Sequence, residues 1–224
     1  MAPVDRKARY RPLLVSLLFL SLVVPLFEDL AYGTLVIDVV STSVLVSGAW
    51  TASHRPRDLV IMIALAAMVV GTQLLGLWLD LRAANVLSAI VTVGFVGCVT
   101  IMLLSDLMQA TQISADTIGG AICGYMMIGI TWGSLFFVIQ LFEPRAFNLP
   151  EAARPTFALF QSEYLQLIYY SMVTLTTVGY GDISAKIPLA QNLSSLEAMI
   201  GQFYIAVLVA RLVSLQMTQR TRAD

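Results

Sequence analysis

The runs of apolar residues constrain this chain more than any other feature. A helix needs about 20 mostly apolar residues, at about 1.5 Å each, to cross the hydrocarbon core of a bilayer. Five stretches before residue 145 meet that demand: 11–27, 31–50, 59–79, 83–104 and 118–142. A sixth, 189–215, is interrupted by Glu197 near its start and Arg211 near its end. The stretch 163–181 is also apolar, but it contains a Gly-Tyr-Gly turn and is too short to cross as a helix. Of the 224 residues 58% are hydrophobic and 12% charged. A soluble domain carries about 25% charged residues, so this chain cannot cover itself with a polar surface. The expected fold class is an all-α membrane protein: six transmembrane helices plus a half-length helix and a loop.

The charge balance and reactive residues remove other classes. Thirteen basic and 14 acidic residues leave a net charge of −1, so no nucleic-acid partner is expected. His54 is the one histidine, and the two cysteines, Cys98 and Cys123, lie inside apolar runs where thiols behave as small hydrophobes. Neither a disulfide framework, a redox motif nor a paired acid–base or metal constellation follows, so the chain reads as no enzyme and needs no cofactor.

Basic residues in short loops set orientation. With the N-terminus inside, the cytoplasmic segments hold Arg6, Lys7, Arg9, Arg11, Arg55, Arg57, Arg211, Arg220 and Arg222, and the outside holds Arg82, Arg145, Arg154 and Lys186. That asymmetry favours a multi-pass protein of the cell (inner) membrane with both termini cytoplasmic. Trp50 and Trp78 then stand at span ends, as interfacial anchors do. The basic start and first apolar run also resemble a signal peptide, but no small-x-small cleavage site follows Phe27. The longest linker, 143–162, is rich in Pro, Ala and Arg and falls outside. Two membrane domains are expected, 1–110 and 111–224.

The most informative stretch is 169–182: Tyr-Tyr-Ser-Met-Val-Thr-Leu-Thr-Thr-Val-Gly-Tyr-Gly-Asp. It resembles the potassium-channel superfamily, whose selectivity filter is Thr-Val-Gly-Tyr-Gly. The order of span, half-helix, filter and span fits as well. Ala115-Asp116-Thr117-Ile118 and the run Ala206-Val207-Leu208-Val209-Ala210-Arg211-Leu212-Val213 are similar to a group of bacterial six-span channel-like proteins. The resemblance is specific from about Ser114 to Leu215; over the first four spans it is a hydropathy pattern only. It implies a potassium-selective channel with filter residues Thr177, Val178, Gly179, Tyr180 and Gly181. K⁺ would sit on the carbonyls of Thr177, Val178, Gly179 and Tyr180, as permeant ion rather than cofactor. Filter support falls to Tyr169, Tyr170, Thr174 and Asp182. Some relatives carry a Glu behind the filter in the half-helix; here Val173 stands there. Tyr169 and Tyr170 replace two tryptophans, and their hydroxyls either brace Tyr180 or Asp182 or are plain packing.

The physics of such a stretch is independent of the family. A cation entering a low-dielectric medium loses solvation of order 20 kcal/mol, and neutral backbone carbonyls replace its water without trapping it. Aiming successive carbonyls one way demands unusual φ/ψ, which glycines at 179 and 181 adopt at little steric cost. Val178 and Tyr180 then point away into surrounding protein, and the Thr177 hydroxyl serves the inner mouth. Non-helical backbone survives at membrane depth only when buried in protein or lining a water-filled path. The half-helix, expected over 163–174 with Ser162 as N-cap, would turn the negative end of its dipole to the cation. One chain supplies one filter strand, and a strand cannot surround an ion. Four copies can, so a homotetramer in the lipid bilayer is expected.

On the last span, Gln202, Ile205, Val209 and Val213 share a face at helical spacing and are the expected pore lining and gate. Gly201 is either a hinge, as the family resemblance implies, or a close helix contact. Arg211 projects to the other side, where snorkelling to headgroups is the easier arrangement, and Glu197 is expected against the surroundings of the half-helix. Voltage sensors need several Lys or Arg in the fourth span, and 83–104 has none. Asp38, inside the second run, is functional or lies near the outer interface with water or Arg82. Asp116 reads as a helix start. The alternatives to a potassium channel are a weakly selective cation channel, against which the intact Tyr180 argues, and a non-conducting channel-like membrane subunit. A transporter reusing the loop would carry four of them, and this chain has one.

Overall fold

The computed structural model describes residues 9–27, 43–44, 46–48, 50–51, 56–79, 82–110, 114–150 and 156–221. Six long helices run through them: α1 (Arg11–Phe27), α2 (Pro56–Leu79), α3 (Arg82–Gln109), α4 (Ala115–Phe142), α5 (Thr156–Leu175) and α6 (Pro188–Thr221). The described residues between 43 and 51 are helical as well. Two short strands, β1 (Phe147–Asn148) and β2 (Ser184–Ala185), complete the order. Among the described residues, three stretches are long and apolar enough to cross a membrane, Val86–Gln109, Ala115–Phe142 and Pro188–Arg211. Arg11–Leu22 and Met62–Thr72 are shorter apolar helices. Most of the run 31–50, with Asp38, lies outside the described residues.

The half-helix differs from expectation. It begins at Thr156 and runs 20 residues, so Ser162 is not its N-cap but a buried residue inside it, whose Oγ accepts from Gln166 Nε2 at 3.2 Å. The stretch 156–161 is Thr-Phe-Ala-Leu-Phe-Gln and contains no breaker. Pro155 is the nearest residue that cannot continue a helix, and it stands just ahead of the observed start.

The chain falls into two compact units, whose boundaries lie within helices. The first comprises Met1–Ala66, Val99–Met126 and Val207–Asp224. Its described core is a lock on the start of α1. Asp116, in the first turn of α4, accepts the backbone N–H of Arg9 at 3.2 Å and of Tyr10 at 3.1 Å. These amides stand at the start of α1, where a carboxylate is favourable, and one from another helix receives them. The Arg9 guanidinium pairs with Asp106 at 3.3 Å and donates to the Thr51 carbonyl. The N-cap of α4 itself is Ser114, whose Oγ accepts from Thr117 N at 3.1 Å.

The second unit comprises Ala67–Cys98 and Met127–Ala206. Its core is aromatic: the Phe136 ring lies 5.3 Å from Phe147, 5.5 Å from Tyr170 and 5.8 Å from Trp132, centre to centre. Tilted and edge-on rings at this spacing add to the burial itself. At Gly133 a Cβ would lie 2.7 Å from the Ile168 Cα, so α4 and α5 cross backbone against backbone. β1 and β2 pair antiparallel, Phe147 opposite Ala185 and Asn148 opposite Ser184, and Lys186 N donates to Ala146 O at 2.8 Å. The ribbon ties the segment after α4 to the segment after residue 181.

Candidate functional site

α5 ends in a Schellman motif. Thr177 N donates to Thr174 O at 2.9 Å, and Val178 N to Val173 O at 3.0 Å. These are the two reverse bonds that close a helix around a left-handed C′ residue. That residue is normally glycine; here it is Thr177, with φ of 60°. Gly179 and Gly181 follow with φ of 57° and 80°. The left-handed conformation thus recurs at alternate residues, 177, 179 and 181. At both glycines a Cβ would meet nothing within 4 Å, so φ and not space requires glycine there within one chain. A β-branched residue at positive φ is a true outlier, of the kind that stores about 1–3 kcal/mol at functional sites. The glycines announce the unusual backbone at 179 and 181 in the sequence; nothing in a threonine signals it at 177.

The side chains of this loop have little of their own chain to rest on. Val178 is 53% and Tyr180 72% exposed. Gln202 of α6 reaches the Thr177 hydroxyl through Nε2 at 3.5 Å, the outer limit of a hydrogen bond. Ile205 and Val209 are exposed on the same helix. The side chain of Val213 lies outside the described residues, as does that of Arg82.

Tyr169 and Tyr170, adjacent on α5, divide their work. Tyr169 donates its hydroxyl to Asp182 Oδ2 at 2.9 Å, across the loop. The bond to the Asp182 carboxylate favours the protonated phenol and pushes the Tyr169 pKa up. Tyr170 instead donates to Ser194 Oγ of α6 at 2.7 Å, while its ring packs on Phe136 and Phe147. Thr174 is half-buried and serves through its carbonyl.

α6 runs unbroken through Gly201. A Cβ there would collide with the Leu175 carbonyl oxygen, which gives this glycine a packing reason. Glu197 is fully buried against Ser171 of α5. Arg211 corrects the snorkelling expectation: it is half-buried and donates to the Ala110 carbonyl at 2.8 Å. A carbonyl just past the end of α3 has no intrahelical donor, and a guanidinium satisfies it.

Comparison with known proteins returns one family. A family model described as ion channel matches residues 127–217. No curated protein matches the chain. No solved structure matches it. The match spans the C-terminal part of α4, the whole of α5, the loop with its alternating backbone and most of α6. Over residues 127–217 the chain is similar to ion channels.

Proposed function

We propose that four copies of this chain form a potassium-selective pore, with K⁺ held by the carbonyls of Thr177, Val178, Gly179 and Tyr180 and by the Thr177 hydroxyl. The observation that carries the reading is the positive φ at 177, 179 and 181. Alternating handedness is what turns successive carbonyls to one side. The exposure of Val178 and Tyr180 supports assembly, because a strained loop at membrane depth needs protein around it. Neighbouring copies supply that cover, and the C₄ ring closes with heterologous contacts. Gln202, Ile205, Val209 and Val213 line the path below, and Gly201, held against Leu175, is where a bend in α6 would act on the pore helix.

The remainder of the reading is coarser. Residues 1–110 form the four-helix, voltage-sensor-like part of a six-span subunit in the cell membrane, without sensor charges and with both termini cytoplasmic. Gating is insensitive to voltage, because α3 has no Lys or Arg after Arg82. A steep response needs several charges per subunit, each worth about 2.3 kcal/mol per 100 mV. The test is flux from liposomes under a K⁺ gradient, repeated with Na⁺, for the wild type and Gly179→Ala. K⁺ flux well above Na⁺ flux, abolished by the substitution, is expected. Equal fluxes, or normal selectivity in Gly179→Ala, would defeat the filter assignment.

A further inference from the structure

Glu197 is an acidic residue in an apolar helix, and the conduction path described above does not use it. Its side chain is completely buried, at 0% exposure. Its Oε1 is in hydrogen-bond contact with the Ser171 hydroxyl of α5. That same hydroxyl lies 2.6 Å from the carbonyl oxygen of Gly129 on α4. Oε2 is buried with no hydrogen-bond partner among the described residues. Three helices therefore meet at one serine oxygen, itself fully buried.

The protons at this junction can be counted. A backbone carbonyl only accepts, an ionised carboxylate only accepts, and a serine hydroxyl brings a single proton. Two oxygen–oxygen contacts require two protons. With Glu197 ionised, one pair of oxygens would face each other with nothing between them. A full negative charge would also lie buried with one oxygen lacking any donor, and groups so placed neutralise instead. A proton on Oε1 closes the count. Glu197 then donates to Ser171 Oγ, and Ser171 donates to the Gly129 carbonyl. Oε2 becomes the carbonyl oxygen of a neutral acid, which tolerates the lack of a partner far better than a carboxylate oxygen does. The nearby tyrosines of α5 are committed elsewhere, Tyr170 to Ser194 and Tyr169 to Asp182.

We infer that Glu197 is a neutral carboxylic acid whose proton couples α6 to the pore helix α5 and, through Ser171, to α4. It is a positioning residue for the filter, supplied by the inner helix. Ser171 precedes Thr177 by about one and a half helical turns, and between Gln166 and Gly181 the chain holds no acidic residue to do the same work. The consequence for the filter rests on the channel reading; the protonation does not.

Two measurements on purified protein in lipid at neutral pH decide it. The first is the infrared difference between wild type and Glu197→Gln. The expected result is loss of a C=O stretch of a protonated carboxylic acid, with no change in the carboxylate bands. Loss of carboxylate intensity instead overturns the inference, whatever the protein conducts. The second is K⁺ flux. Glu197→Gln, whose amide donates to Ser171 in the same sense, keeps flux within about threefold of wild type, whereas Glu197→Ala loses about tenfold or more. Should Glu197→Ala fail to assemble, Ser171→Ala replaces it, with the same loss expected. Flux in Glu197→Gln as poor as in those variants overturns the positioning role. A wild type with the carboxylic acid band and no K⁺ flux would uphold the proton and defeat the channel reading.

Discussion

Asp116 and Glu197 are both acidic residues in apolar helices, and their surroundings treat them in opposite ways. The two oxygens of Asp116 each receive a backbone N–H, from Tyr10 and Arg9. Among the described residues Glu197 receives no amide; it meets the Ser171 hydroxyl, and its second oxygen has no hydrogen-bond partner. An acceptor-only group is useful where helix-start amides need it. Where a hydroxyl is already committed to a carbonyl, the same chemical group must bring a proton of its own. Carboxyl function in this chain is therefore set by the donors around it and not by depth in an apolar run.

The comparison breaks or sharpens under substitution. The largest effect is expected one helical turn beyond Glu197, where α6 touches α5 with no slack. Gly201→Ala sets a Cβ against the Leu175 carbonyl and should destabilise the assembled protein by about 3 kcal/mol, read as thermal unfolding in detergent, with loss of K⁺ flux. Asp116→Ala removes the acceptor of the Arg9 and Tyr10 amides and a favourable charge from the start of α1. A loss of about 2 kcal/mol is expected, and Asp116→Asn should recover only part of it, because an amide offers one acceptor oxygen. If Asp116→Asn is neutral while Glu197→Gln is damaging, the contrast drawn above is reversed and fails.

A smaller effect is expected at Tyr169→Phe, which removes the exposed bond to Asp182. K⁺ selectivity should persist. The wild type should lose this bond's contribution at alkaline pH. A phenol whose folded pKa is raised stabilises below its ordinary value near 10 and ceases to do so as pH rises through the higher folded value. Tyr169→Phe should flatten that alkaline slope in unfolding measurements. The smallest effect is Glu197→Gln on unfolding, expected within about 0.5 kcal/mol of wild type.

What was legible in the sequence was whatever depends on composition over a window. Apolar runs located the long helices, and the stretch 169–182 located the helix end and the loop after it. Three things were not legible. The pore helix extends back to Thr156 because nothing between Pro155 and Ser162 stops it, and a hydroxyl that looks like a cap was only an interior residue. Arg211 finds the Ala110 carbonyl, and Asp116 the amides before α1, through contacts about a hundred residues apart in sequence. Thr177 takes a left-handed φ because two reverse hydrogen bonds close the helix around it, which no propensity of threonine encodes.

Thr177 belongs to two structures at once, as the residue that closes α5 and as the first residue of the loop that follows. The loop therefore inherits its azimuth from the helix. Each residue of an α-helix advances about 100° around its axis, so inserting or deleting a single residue late in α5 would rotate the loop from 177 onward by about that angle relative to the start of the helix. The pore helix acts as a phase reference, and its last turns tolerate changes of side chain far better than changes of length.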